Sequence, residues 1–175
     1  MDLFDYTEFD NYVTFQIYST DVTKINNLRK FICTKFSIYA IDTICVDINT
    51  SNLPDEFLAA RLSLIPFISN HIEINEYVLT LNVSGIHNLY PSHFVGDIKS
   101  CNNDIIIAKL HPTQQISLTA SVCLGYGSDH AKWKPVHTCY FTRTGNIFTF
   151  YVETTDVIDP FTLIHTSIHH VNTSL

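Results

Sequence analysis

Histidine and cysteine are the residue types here best suited to hold a metal or attack a substrate, and the sequence has nine of the first and five of the second. His165 and His169 stand at i and i+4 in the last segment, a spacing that puts two imidazoles on one helix face. Thr166, Ser167 and Ile168 lie between them, so the Glu base of a zinc-hydrolase helix is missing, and surface histidines are the simpler reading. Cys123, His130, His137 and Cys139 contain no pair at a customary zinc-loop spacing; a buried thiol and turn histidines account for them. Gly125-Tyr126-Gly127 starts like a phosphate loop, but no third Gly and no Lys-Ser/Thr follow, which leaves a tight turn. Ser128, Asp129 and His130 are adjacent and cannot point at one another as a triad must. Asp55 and Glu56 fall in the first turn of a helix, where they suit the dipole before they suit acid–base work. Local chemistry therefore supplies no catalytic residue, no metal ligand set and no cofactor.

The unusual cluster is His130-Ala131-Lys132-Trp133-Lys134-Pro135, in which the only Trp stands between two lysines directly after a Gly-x-Gly turn. Two readings stay open. A Trp offers a large contact area and flanking lysines reach a partner's carboxylates; equally, the Trp packs into its own core and the lysines are solvated.

The chain is lean in charge, with 15% charged and 46% hydrophobic residues, so part of its apolar surface is expected to meet a partner. A net charge of -7 argues against direct nucleic-acid binding, which rests on Lys and Arg neutralising phosphates. The cysteines (Cys33, Cys45, Cys101, Cys123, Cys139) are odd in number, widely spaced and without a Cys-x-x-Cys pair, which fits reduced thiols rather than a disulfide framework or a zinc ribbon. The start, MDLFDYTEFD, has neither the basic nor the apolar region of a secretory signal, and no apolar run is long enough for a bilayer. The expected location is inside the cell, where the Asn-x-Ser/Thr matches at Asn49, Asn82 and Asn172 are chance.

Pattern predicts the elements that position these residues. Tyr12 to Tyr18 alternates as a half-buried strand, and Asp21 to Phe36 shows helical spacing of Ile25, Leu28, Phe31 and Ile32. Ile38 to Ile48 returns to strand; a second helix follows, capped by Ser51 or Asn52, with Pro54 in its first turn and Pro66 as its stop. Strands are expected at Tyr77 to Val83, Ile105 to Leu110, Ile116 to Leu124, Thr138 to Arg143 and Ile147 to Glu153. Asp159 and Pro160 open a last helix with an apolar stripe at Leu163, Ile164 and Ile168. Helices and strands at both ends bracketing a β-rich middle make an α+β chain. With no linker visible, a second domain must be inserted into the first. The terminal helices then either mediate dimerisation or pack on the chain's own sheet.

Four blocks stand in order, at Asn26 to Lys30, Asn49 to Pro66, Ile107 to Trp133, and Val152 to Thr154 with Pro160, and together they resemble the α-like, third-largest subunit of cellular RNA polymerases. Asn26-Asn27-Leu28-Arg29-Lys30 is similar to the family's N-x-L-R-R helix, and Asn49-Thr50-Ser51 through Asp55-Glu56-Phe57-Leu58-Ala59-Ala60-Arg61-Leu62-Ser63-Leu64-Ile65-Pro66 to its NTS…DEFLAHRLGLIP block. Ile107-Ala108-Lys109-Leu110 through Gln115, Gly125, Gly127 and His130-Ala131-Lys132-Trp133 resembles its GxGxxHAKWxP block, and Val152-Glu153-Thr154 with Pro160 its VET…P entry to the last helix.

The resemblance implies a discontinuous dimerisation domain, 1–38 and 145–175, with a β-rich domain at 39–144 inserted. It implies a non-catalytic scaffold, without cofactor, that pairs with a smaller α-like subunit and supports the second-largest and largest polymerase subunits. Ile25, Leu28, Phe31, Ile32, Leu163, Ile164 and Ile168 are the positions it assigns to the heterodimer or its supporting core. Arg29, Arg61, His130, Lys132 and Trp133 are those it assigns to the large-subunit side. Cellular members often carry a cysteine-rich zinc loop after the LIP helix, whereas Phe67 to Val83 has no Cys, so no zinc is expected there. Ala60 and Ser63 replace the usual His and Gly, Ser37 stands where Pro often precedes the strand, and the last helix is short. Such trimming fits a divergent lineage, with a viral one as a guess at origin; the setting would be the nucleus for a cellular protein and a virus factory or virion for a viral one. Outside this class, the alternatives are a self-assembling β-rich virion component and a His-dependent metal hydrolase.

Overall fold

The structure, a computed structural model, describes residues 3–69, 76–85 and 87–173. Its fold is α+β and consists of two compact units, one built from both chain ends, through Ile38 and from Tyr126 on, and one from Tyr39–Gly125.

The first unit is a four-stranded antiparallel sheet in the order β1-β2-β9-β8, formed by β1 (Leu3–Phe9), β2 (Tyr12–Tyr18), β8 (Val136–Thr144) and β9 (Ile147–Thr154), together with the helices α1 (Val22–Lys30) and α3 (Pro160–Thr173). Asp10, with φ at 56°, turns the β1–β2 hairpin in a left-handed conformation that Asp tolerates, and Gly145, at 63°, does the same between β8 and β9. Strict alternation sends Val13, Phe15 and Ile17 of β2 and Phe148, Phe150 and Val152 of β9 into the core. Phe15 and Phe150 pair in register and stack at 4.8 Å between ring centroids. Such a contact contributes about 0.5–1.5 kcal/mol beyond the burial of the rings.

Asp21 caps α1, its carboxylate accepting from the amides of Thr23 at 2.8 Å and Lys24 at 3.4 Å, while Arg29 and Lys30 sit at the negative end of the dipole. The single helix expected over Asp21 to Phe36 changes hand-hold after Lys30. Phe31–Lys35 forms a π turn, with the Phe36 amide bonded back to the Phe31 carbonyl at 3.0 Å. The wider turn keeps both Phe31 and Ile32 buried. Asp159 opens α3 through its carboxylate, which accepts from the Thr162 amide at 2.8 Å.

The second unit contains β3 (Ser37–Asn49), α2 (Asp55–Ser63), β4 (Glu76–Ser84), the short strands β5 (Asn88–Leu89) and β6 (Ala108–Lys109), and β7 (Gln115–Tyr126). Strands β3, β7 and β4 form one sheet in that order, β5 and β6 a second, and α2 buries Leu58 and Leu62 in a core with Leu79, Leu81, Leu118 and Val122. Strands β3 and β7 carry the chain out of the first unit and back. Three local expectations are corrected. Neither Ser51 nor Asn52 caps α2: Ser51 is held by Asn49, and Pro54 itself occupies the cap position. Of the expected strand from Ile105 to Leu110 only Ala108–Lys109 is strand, and the carbonyls of Ile106 and Ile107 go to Arg61. The strand leaving the Trp133 cluster, placed in the insert by a boundary at 144/145, pairs along its length with β9 and so belongs to the first unit.

Candidate functional site

Three of the four motif blocks meet in the first unit, where the end of α1 receives the loop between β7 and β8. The last carbonyls of a helix lack intrahelical partners, and here the Thr34 carbonyl accepts from the Ser128 amide at 3.1 Å. Gly127 makes this approach feasible. A Cβ there would meet the Cys33 carbonyl oxygen at 2.7 Å and the Lys134 side chain at 3.0 Å. The loop continues into a 3-10 turn, Ala131–Trp133, whose entry is set by His130: its ring Nδ1 accepts from the Lys132 amide at 3.1 Å. Past the turn, the Pro135 carbonyl accepts from both the amide and the hydroxyl of Thr155, at 3.1 and 2.9 Å, which ties the block to the one at Val152-Glu153-Thr154. The Thr154 amide in turn donates to the Asn11 carbonyl at 2.9 Å.

Side chains at this junction divide into packing and charge. Trp133 is only 9% exposed, so of its two open readings the core one holds. Lys132 places its ammonium 4.1 Å from the centroid of the Trp133 ring, a cation–π contact. Arg29 donates to the Asn26 side chain at 3.2 Å and reaches the Cys33 thiol, to which Lys134 also presents its charge. Interaction with the Cys139 thiol, with the nearby positive charges of Arg29 and Lys134, brings Cys33 down to about 7 against the opposing effect of burial, while Cys33 and then burial push Cys139 up. The pair was not legible in the sequence, since more than half the chain separates its members and neither belongs to a spaced cysteine motif.

The helix positions assigned to the heterodimer or its supporting core lie on the inner side of α1 and α3. Ile25, Leu28, Ile32, Leu163 and Ile164 are fully buried and Phe31 and Ile168 nearly so within this chain alone. They hold α1 and α3 in their own unit. The exposed faces of the same helices carry Val22 and Asn26 on α1 and Phe161, His165 and His169 on α3. Val22 is 40% and Phe161 48% exposed. Phe161 also rests edge-on against Tyr6 of β1, at 5.5 Å between centroids.

Arg61 belongs to the second unit, in the remaining block. Asn49 builds the entry to α2 by accepting from Ser51 and donating to the Leu53 carbonyl at 2.9 Å and the Asp55 carboxylate at 2.7 Å. In the last turn of α2, Arg61 donates from Nε to the Ile107 carbonyl at 2.7 Å and from its terminal nitrogen to the Ile106 carbonyl at 2.8 Å. Its guanidinium thus braces the segment before β6. Phe57, on the same helix, is 63% exposed, and Leu64, just beyond its end, is exposed too. Among the described residues, no group of three or more His, Cys, Asp and Glu side chains is arranged to hold a metal. Part of the segment Phe67 to Val83, where a zinc loop was not expected, lies outside the described residues, namely 70–75.

The chain is a two-unit α+β fold with one unit inserted in the other, and its motif residues cap turns and brace loops. Residues 11–140 match the family described as the RNA polymerase Rpb3/RpoA insert domain, and the chain belongs to it. Among similar proteins is the DNA-directed RNA polymerase subunit Rpo3 of Thermococcus kodakarensis, 33% identical over 75% of this chain and 56% of that one. Others are subunit 3B of the Arabidopsis thaliana RNA polymerases IV and V, 32% identical over 74% of this chain and 52% of its own length, and RNA polymerase II subunit RPB3 of Schizosaccharomyces pombe, 29% identical over 75% and 56%. The chain thus aligns with little more than half the length of these relatives.

Proposed function

We propose that this protein is a non-catalytic assembly subunit of a multisubunit DNA-dependent RNA polymerase, working inside the cell. In this reading the unit made of both chain ends pairs with a smaller α-like subunit, and the heterodimer supports the two largest subunits. The observation that carries it is the match over residues 11–140 to a polymerase insert-domain family, with relatives named as polymerase subunits. The geometry supports a scaffold role because the motif residues that sequence alone left open are engaged in packing or backbone bonds: Trp133 is buried, His130 sets a turn and Arg61 braces carbonyls.

The partner surface in this account is the outward face of α1 and α3, with Val22 and Phe161 as its apolar side chains, rather than the buried stripe behind it. Arg29, His130 and Lys132, on the junction of the motif blocks, and Arg61 with its exposed neighbours Phe57 and Leu64 are the positions proposed for the large-subunit side. The net charge of -7 fits contact with nucleic acid through other subunits only. Co-expression with the smaller α-like subunit of the same source, followed by light scattering on the purified material, is expected to give a one-to-one complex. A persistent monomer alongside a folded small subunit would overturn the pairing.

A further inference from the structure

We propose that the face of the first unit's sheet turned away from its core is a docking site for an arginine side chain of a partner protein, built from Tyr12, Tyr140, Tyr151 and Glu153. The inference stands independently of the polymerase reading and concerns a different surface from the outward face of α1 and α3.

The alternation that sends Val13, Phe15 and Ile17 of β2 and Phe148, Phe150 and Val152 of β9 into the core turns the residues between them the other way. Register then lays two rows side by side across β2, β9 and β8: Tyr12, Glu153 and Thr138, and next to it Thr14, Tyr151 and Tyr140. In the first row the Glu153 carboxylate is held from both sides. Its Oε1 accepts from the Tyr12 hydroxyl at 3.1 Å and its Oε2 from the Thr138 hydroxyl at 3.2 Å. A carboxylate has about four acceptor positions, so each oxygen keeps one for a further donor. In the second row the Tyr140 and Tyr151 rings stack, with centroids 5.0 Å apart and planes 17° from parallel. Together these side chains line a shallow cavity of about 130 Å³. Glu153 is also the one residue of the Val152-Glu153-Thr154 block that packing does not absorb, since Val152 and Thr154 are buried.

Charge decides the occupant. The three strands contain one Lys or Arg between them, Arg143, which pairs with Phe148 and lies 5.3 Å from that ring's centroid, on the other face. Glu153 therefore presents a carboxylate on a face to which its own strands bring no Lys or Arg. A guanidinium complements it best, because its planar fork donates to both oxygens while its flat side rests on a tyrosine ring. A lysine ammonium matches the charge but not the plane. Volume decides between a free ligand and a side chain: small-molecule sites run to about 300–1,000 Å³, so this cavity takes a head group only. Tyr12 and Tyr140, 58% and 51% exposed, flank the carboxylate, and the chain that carries the arginine would cover them.

The test follows backbone amide shifts of the full-length protein by NMR as capped tripeptides are added in which leucines flank an arginine, a lysine or a citrulline, with methylguanidinium as a further probe. The arginine peptide is expected to give saturable shifts at the amides of Tyr12, Tyr140, Tyr151 and Glu153. Citrulline, which keeps the shape without the charge, should bind about tenfold more weakly, and lysine and methylguanidinium about threefold or more. Glu153→Gln and, separately, Tyr140→Leu at its exposed position should each weaken the arginine peptide about fivefold or more while the rest of the spectrum is kept. The proposal is overturned by the absence of saturable shifts at these amides, by citrulline or lysine binding as tightly as arginine, or by parental binding in both variants. Methylguanidinium matching the tripeptide would also overturn it, by showing a site for a bare cation instead of a partner's side chain.

Discussion

Gly127 runs so close to Cys33 that a Cβ at position 127 would stand 2.7 Å from the Cys33 carbonyl oxygen. The obstacle is backbone, which cannot swing aside as a side-chain tip would. Gly127→Ala is therefore expected to push the loop off the end of α1 and to lower stability by about 1–3 kcal/mol, the usual range for overpacking. Urea unfolding measures it. A change within error would mean that the loop does not seat against the π turn.

Leu28 is completely buried whereas Val22, on the same helix, is 40% exposed, and the two should respond oppositely. Leu28→Ala is expected to cost about 2–5 kcal/mol as a core truncation. Val22→Glu adds an acid at the first position of α1, beside the positive end of its dipole, and is expected to leave stability within about 0.5 kcal/mol. The same Val22→Glu change should weaken recovery of the small α-like partner about tenfold or more, since it puts a charge into an interface. Unaltered recovery would move the partner surface away from α1.

Arg61 makes two hydrogen bonds to consecutive carbonyls, which a lysine ammonium cannot reproduce with the same planar fork. For Arg61→Lys we expect a loss of about 1.5–3 kcal/mol, the range for hydrogen bonds to charged groups. Hydrogen exchange should quicken at the Ile107 amide, which donates to the Leu89 carbonyl at 2.8 Å. If protection there is unchanged, the guanidinium does not hold that segment.

Cys33 is shifted down to about 7, chiefly by its interaction with the Cys139 thiol. Its alkylation by iodoacetamide should rise with pH through a midpoint near that value, ahead of a free thiol. Cys139→Ala removes that interaction and should move the midpoint upward. The direction also fixes the linkage: the thiolate's favourable contacts are present above the unfolded thiol's pKa and are lost as pH falls through about 7. Identical midpoints in the two proteins would separate the cysteines.

Where side chains alternate, sequence and structure agree closely. Tyr12–Tyr18 is the predicted strand to the residue, and the strand starting at Ile147 extends only one residue past its expected end. Strand β1 was missed because most of its residues are exposed and its register shifts between Phe4 and Thr7, which breaks the alternation on which such a reading depends. The π turn was missed because Phe31 and Ile32 satisfy helical spacing whichever carbonyl the backbone bonds to. An apolar stripe such as Ile25 and Leu28 states that one face is covered, but not whether the cover is the chain's own sheet or another subunit. That ambiguity is why the seven positions were assigned to the heterodimer or its supporting core without a choice between them. The motif blocks were legible as words, while their joints, Ser128 with Thr34 and Pro135 with Thr155, depend on a topology that brings chain ends together.

The central claim is membership of a polymerase assembly, and affinity purification of the tagged protein from its native source, with partners identified by mass spectrometry, tests it most directly. The account predicts a small α-like subunit and the two largest polymerase subunits, in comparable amounts, in the same purified complex. Recovery of the folded protein as a lone monomer or a homo-oligomer, with no polymerase subunit beside it, would contradict it.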